Sequence, residues 1–204
     1  DVTLTVSRDG LESAKDITVK RGTIVVKSVN TKLRDDNIFV VKVSNFNSDT
    51  AGLFNKAVSE IVKDNPRGII LDLRNNPGGY LDTAVDMASA WIKDGVVVSE
   101  EFDNKNKNEF SAKGRALLKD YKTVVLVNQG SASASEIVAG ALEEFKDGSS
   151  VKITVAKWLT PKGNYINKKG ITPDVKVDLT LKDYEDGNDP QLDKAVEILK
   201  MNNE

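Results

Sequence analysis

Residues 124–142 join a run that has to be buried to a turn that has to be open. Val124-Val125-Leu126-Val127 is wholly apolar, and Asn128-Gln129-Gly130 breaks the run. Ser131-Ala132-Ser133-Ala134-Ser135 then supplies three hydroxyls among small residues, and Glu136 leads an apolar stretch of helical character to about Leu142. A short apolar run bounded by turn residues reads as a strand buried on both faces. Strand, tight turn and helix in succession is the building unit of an α/β fold. The same geometry sets a serine at a helix N-terminus, where unpaired backbone N–H groups favour negative charge. An acyl-transfer nucleophile and its oxyanion need that environment. The 204-residue chain contains no histidine, so a serine attacking from this turn has a proton acceptor of another kind.

Composition narrows the class. With no cysteine and no histidine, thiol chemistry, disulfides and a transition-metal centre are set aside, and neither metal nor cofactor is expected. The lysines are dispersed and the net charge is −2, which disfavours nucleic acid as a partner. No apolar run approaches the ~18 residues of a membrane span, and no signal peptide is visible. The chain opens on Asp1-Val2-Thr3-Leu4-Thr5-Val6 without a methionine, which reads as an internal start.

Periodicity gives the remaining elements. Strands are expected over Val2–Ser7, Lys15–Lys20, Thr23–Val29, Asn37–Val43, Gly68–Leu73, Val96–Val98, Val151–Leu159 and Val175–Leu179. Helices are expected from Thr50 to about Lys63, ended by Asn65-Pro66, and over Leu81–Ile92, Glu109–Lys119 and Pro190–Met201. Strands and helices alternate through the middle, which predicts an α/β fold with a mostly parallel central sheet, flanking helices and a small β-rich N-terminal portion. Asp72 is the one charge in a buried strand and reads as a hydrogen-bonded structural carboxylate; Trp158 reads as core.

Two turns stand out because both leave the carboxyl ends of central strands, the edge where α/β sheets bind ligands. One is Asn76-Pro77-Gly78-Gly79 and the other is Gly130 to Ser135. If their strands are neighbours, the turns face each other. The N–H groups of Gly78 and Gly79 then offer half of an oxyanion hole, and the Ala134 N–H, directly after a nucleophilic Ser133, offers the other half. Each feature also has an ordinary explanation. Asn-Pro-Gly-Gly is good turn chemistry, and Ser133 or Ser135 makes a good N-cap.

Four ordered segments carry a family resemblance: Gly68 to Gly79, Val125 to Glu136, Ala156 to Gly163, and Gly170 to Asp174. Together they resemble the C-terminal processing peptidases, also called tail-specific proteases, from near residue 1 to about residue 179. The resemblance implies a Clp protease/crotonase-like core over residues 9–180. Residues 1–8 are similar to the last strand of a PDZ domain, most of which is absent, and 181–204 form a helical extension. It also implies a serine endopeptidase with a Ser–Lys dyad, Ser133 as nucleophile, Gly79 and Ala134 as oxyanion donors and Gly78 against the substrate. Substrates are proteins or peptides bound by their C-terminal region. The location is extracytoplasmic, in the periplasm or at the outer face of the cytoplasmic membrane, and homo-oligomerisation is left open.

The chain departs from that family at one place. The strand and Gly-Lys-Gly motif that carry the family's lysine are missing: Gly140-Ala141-Leu142-Glu143-Glu144 runs directly into Phe145-Lys146-Asp147-Gly148. Lys146, Lys152, Lys157 and Lys162 lie nearby, but none stands in the motif context, so the base is assigned to none of them. Disorder, deletion or natural absence of the segment each accounts for the gap, and the motifs kept on both sides favour the first. Two other functions fit parts of the pattern. A base-less relative would bind peptide tails without cleaving them. A crotonase-like acyl-CoA enzyme would leave the serine run without a role.

Overall fold

A computed structural model describes residues 1–10, 12–22, 26–101, 107–114, 116–144 and 171–201. β1 (Val2–Val6) and β2 (Lys15–Val19) pair as an antiparallel hairpin, Leu4 opposite Ile17. The expected strand over 23–29 is not found in its described part. Instead β3 (Val29–Leu33) begins where that segment ends, and it pairs antiparallel with β4 (Ile38–Val43). The polar residues Asn30, Thr31 and Lys32 hid β3 because it is exposed along most of its length.

α1 (Thr50–Asp64) returns the chain to β5 (Gly68–Asp72), and β8 (Thr123–Leu126) lies beyond β5. The four-stranded sheet has the order β3-β4-β5-β8; β4, β5 and β8 are parallel and β3 is antiparallel. The fold is therefore mixed α/β built on a mixed sheet, with an N-terminal β-hairpin.

Alternation along β4 and β5 sorts their side chains to two faces. Phe39, Val41, Ile69 and Leu71 join one core cluster with Phe54 and Ile61 of α1, residues of α2 (Leu81–Ala88), and Ile137 and Val138 of α3 (Ala134–Glu144). Ile38, Ile70 and Leu126 join a second cluster with Ala195, Val196 and Leu199 of α5 (Pro190–Met201). Burial of each such aliphatic side chain contributes about 1.5–3 kcal/mol. Ile38, Ile69, Ile70 and Leu71 are completely inaccessible, and every residue of β5 is buried, so β5 lies at the centre of the core while β3 forms an exposed edge.

Three further expectations change. α2 ends at Ala88, four residues short of Ile92, in a turn held by Trp91 N–H to Ala88 O. The expected helix over 109–119 is instead β7 (Lys107–Ser111), antiparallel to β6 (Val96–Glu101), followed by turns. Phe110 and Ala112 pack on the first core cluster, and that two-residue spacing is a strand's period. Val175–Leu179 forms no strand among the described residues; it runs exposed, and the Gln191 side chain holds the Val177 carbonyl. A short helix the periodicity did not reveal, α4 (Leu181–Asp186), carries a complete Thr180/Asp183 capping box. Trp158 and the expected strand over 151–159 lie outside the described residues.

Candidate active site

β5 and β8 are hydrogen-bonded neighbours, so the turns after them do face each other. Asn76 joins them. Its carbonyl accepts from the Ala132 N–H (3.0 Å) and from the Ser135 hydroxyl (2.9 Å). Its side chain donates to the Val43 carbonyl at the end of β4 (2.9 Å) and accepts from the Gly78 N–H (2.9 Å). It is completely buried, so these bonds replace the water its amide gives up. Beside it, Asn75 and Asn128 bond reciprocally, N–H to Oδ1 at 2.8 Å and Nδ2 to Oδ1 at 2.9 Å.

The three serines separate by their bonds. The Ser131 hydroxyl donates to the Leu73 carbonyl (2.8 Å) and accepts from the Asn128 N–H (3.0 Å). Ser135 is buried and committed to Asn76. The Ser133 hydroxyl has no hydrogen-bond partner among the described residues, and its side chain is half-buried. Ser131 and Ser135 thus fasten the turn, and the Ser133 hydroxyl is left uncommitted.

Its backbone conformation also sets it apart. Ser133 has φ +54°, the left-handed region that residues with a Cβ rarely enter and that often marks a functional turn. It immediately precedes α3, and its N–H is held by the Glu136 carboxylate at 2.8 Å, half of a capping box. Desolvation raises the Glu136 pKa above its ordinary value, and the Ser133 N–H opposes that shift.

Gly78 and Gly79 fit against this turn and against β4. A Cβ on Gly78, at φ +101°, would stand 2.8 Å from the Ser133 Cβ and 2.9 Å from the Ala134 nitrogen. A Cβ on Gly79, at φ +144°, would stand 2.0 Å from the Phe46 oxygen. Phe46 bridges Gly79 in parallel fashion, donating to the Gly78 carbonyl and accepting from the Tyr80 N–H. In such a bridge the middle residue turns its own N–H away from the partner. The Gly79 and Ala134 N–H groups have no acceptor among the described residues, whereas the Gly78 N–H is taken by Asn76. Two donors, one in each turn, are therefore left unspent among the described residues.

Asp72 is not part of this cleft. It is buried and salt-bridged to Arg74 (2.8 Å), as expected of a structural carboxylate. Sequence reasoning missed the rest of that cluster, because Asp189 comes to Arg74 from the far end of the chain. Lys146, Lys152, Lys157 and Lys162 lie outside the described residues. A groove of about 1020 Å³ runs along β8, residues 171–179 and α5; it reaches Asn128 and Gln129 but not Ser133. Among the described residues, no helix is long and apolar enough to cross a membrane and no cluster of acidic side chains could hold a metal ion.

Comparison with known proteins bears on the family and the fold. The model of peptidase family S41 matches residues 37–146 and 142–177, in two pieces that overlap at 142–146. A protein named "Probable CtpA-like serine protease" from Staphylococcus epidermidis is 44% identical over 200 residues, covering 86% of this chain and 40% of its own length. Its namesake from Staphylococcus aureus is 43% identical over 202 residues, covering 87% and 40%. The chain thus spans about two fifths of the length of these relatives. The first alignment is longer than the part of this chain it covers, 200 positions against 86% of 204 residues, so the relative carries residues that this chain lacks. Among solved structures, a photosystem II D1 C-terminal processing protease superposes with a TM-score of 0.66 at 27% identity, covering 81% of this chain and 52% of that one. Mature CPAF complexed with lactacystin superposes with a TM-score of 0.58 at 9% identity, covering 85% and 53%, a likeness of fold alone.

Proposed function

The chain belongs to peptidase family S41, a serine-type peptidase family, and from that premise we propose that it is the peptidase core of an endopeptidase with Ser133 as its nucleophile. One observation carries the reading. Of the three hydroxyls in the turn, that of Ser133 alone has no partner among the described residues, and the Gly78-Gly79 turn packs directly on it, a Cβ on Gly78 meeting both the Ser133 Cβ and the Ala134 nitrogen.

The reaction follows from that placement. The Ser133 Oγ bonds to the scissile carbonyl carbon as its proton passes to a base. The carbonyl electron pair moves onto oxygen, where the Gly79 and Ala134 N–H groups receive it. Collapse of the tetrahedral adduct breaks the C–N bond, and the leaving amine takes the proton. Water then attacks the ester, releasing the carboxylic acid and restoring the Ser133 hydroxyl. Gly78, with no side chain, lets the substrate backbone approach.

The base in this reading is a lysine, which must be neutral to accept the proton. Its pKa has to fall from about 10.4 toward 7–8 by desolvation. Substrates are protein or peptide tails bound in extended form as an added strand. The core, over residues 9–180, is of the Clp protease/crotonase kind, residues 1–8 are the last strand of a PDZ domain, and the protein works outside the cytoplasm.

One observation favours a second reading. Leu142-Glu143-Glu144-Phe145-Lys146 holds no Gly-Lys-Gly, and the family match breaks into two at the same place. A chain lacking the base would hold a peptide tail without cleaving it. Cleavage of a tailed peptide by the wild-type chain, lost in Ser133→Ala, supports the endopeptidase. Binding of that peptide with no cleavage by either form selects the binding module. Equal cleavage by both forms rejects Ser133 as the nucleophile.

A further inference from the structure

We propose that Asp189 is a positioning residue for the Gly78-Gly79 turn, acting through Arg74. This rests on the reading of Ser133, Gly79 and Ala134 as the reactive centre.

Arg74 lies at the root of the turn, two residues before Asn76. Its guanidinium is held by two carboxylates. Asp72 accepts from Nε at 2.9 Å and Nη2 at 2.8 Å. Asp189 accepts from Nη1 at 2.7 Å and Nη2 at 2.8 Å, and Gln191 Oε1 accepts from Nη1 at 3.0 Å. The Asp72 Oδ1 also takes the Arg74 backbone N–H at 3.1 Å. Side chain and main chain of Arg74 are therefore fixed together. Paired fork contacts of this kind specify geometry as well as adding energy.

The next two residues pass that geometry on. The Asn75 N–H docks on Asn128, at the start of the serine turn. Asn76 holds Gly78 on one side and Ala132 and Ser135 on the other. A shift in the main chain at Arg74 therefore moves the Gly79 donor relative to Ser133 and its neighbour Ala134. Small misplacements of this kind are costly to catalysis.

Asp189 does this from α5, and α5 has other anchors. Ala195, Val196 and Leu199 lie in the second core cluster. Lys200 Nζ reaches the Asp36 Oδ2 at 3.0 Å near the opposite end of the helix. Asp189 also caps α5, accepting the Leu192 N–H at 3.0 Å. Asparagine caps a helix about as well as aspartate. Asp189→Asn therefore removes the charge from Arg74 and leaves α5 capped and docked.

The test compares Asp189→Asn with Asp36→Asn, which loosens α5 at its other end without touching Arg74. Amide hydrogen exchange of the full chain is followed at Asn75, Gly78, Ala132 and Ser135. Asp189→Asn is expected to speed exchange at these four by about tenfold, the factor carried by a charge-assisted hydrogen bond of ordinary strength. Asp36→Asn is expected to leave them within about twofold. Where the wild-type chain cleaves a tailed peptide, Asp189→Asn lowers kcat by about tenfold with KM little changed, as loss of transition-state alignment requires. Unchanged exchange in Asp189→Asn, or equal acceleration in Asp36→Asn, overturns the proposal. The Ser133 reading fails separately, through cleavage that survives Ser133→Ala, and the exchange result still decides the role of Asp189.

Discussion

Ser135 and Asn76 are 59 residues apart in sequence, yet the hydroxyl of one donates to the carbonyl of the other at 2.9 Å. That bond and the Ala132 N–H share a single acceptor. Removing the hydroxyl leaves the acceptor paired, so Ser135→Ala should cost only about 1 kcal/mol. Asn76→Ala strands the Val43 carbonyl and the Gly78 N–H and should cost about 2 kcal/mol or more. Urea unfolding of the two variants measures the difference.

Gly78→Ala places a methyl group against the Ser133 Cβ and the Ala134 nitrogen at φ +101°. The backbone conformation alone costs about 1–3 kcal/mol, and the contacted atoms are main chain or next to it. The expected outcome is a lowered Tm together with loss of any Ser133-dependent cleavage. Gly52→Ala meets no atom within 4 Å and lies in α1. It should stabilise the fold by about 0.4–1 kcal/mol.

Asp36 predicts an acid-sensitive tie. Hydrogen bonding to Arg34, followed by the Lys200 contact, lowers its pKa from 3.8 to about 2. A lowered folded-state value means the contribution is present above pH 3.8 and is lost as pH falls through 2. Because the group is partly solvated, the contribution is about 1 kcal/mol or less. Asp36→Asn should be less stable than the wild type at pH 6, and the gap should close toward pH 2 in a series of urea melts.

Glu136 has the opposite sign. Desolvation raises its pKa above 4.5, so the folded state prefers the protonated form. Its contribution is full below pH 4.5 and is lost as pH rises through the folded-state value. Glu136→Gln keeps an oxygen for the Ser133 N–H and removes the titration. Across pH 4 to 8 its stability relative to the wild type should rise. A flat difference would show that burial does not control this carboxyl.

Leu199→Ala should cost about 2–5 kcal/mol, the range for truncating a buried leucine. Leu199 fills the space beside Gly68, where an added Cβ would lie 2.9 Å from the leucine Cδ2. Gly68→Ala combined with Leu199→Ala should therefore recover part of the loss. Thermal unfolding of the single and double variants reads the coupling.

The sequence showed most clearly what burial dictates. β5, and β4 over most of its length, announce themselves as apolar runs because both their faces are covered, and α1 and α5 because only one of theirs is; β8 is as apolar but only half-buried over Thr123–Val125. The meeting of the two turns followed from strand adjacency, and Ser133 stood among the candidates because small residues and hydroxyls cluster there. What stayed hidden depends on distance or exposure. β3 is polar because it is an exposed edge, and α4 is too short to show a period. Phe110 belongs to a strand because β6 pairs with it and the first core cluster takes its side chain. No local pattern ties Asp189 to Arg74, 115 residues earlier. Nor does the pattern reveal which serine is free, since that follows from where Leu73 and Asn76 place their carbonyls.

The two halves of the cleft leave β5 and β8 separately, with Asn76 as the joint between them. Until both strands have been made and paired, the Ser133 turn has no Asn76 to fasten it and no Gly79 beside it. A growing or partly unfolded chain therefore carries a serine like any other. If Ser133 is the nucleophile proposed above, its reactivity would report that long-range strand pairing is complete.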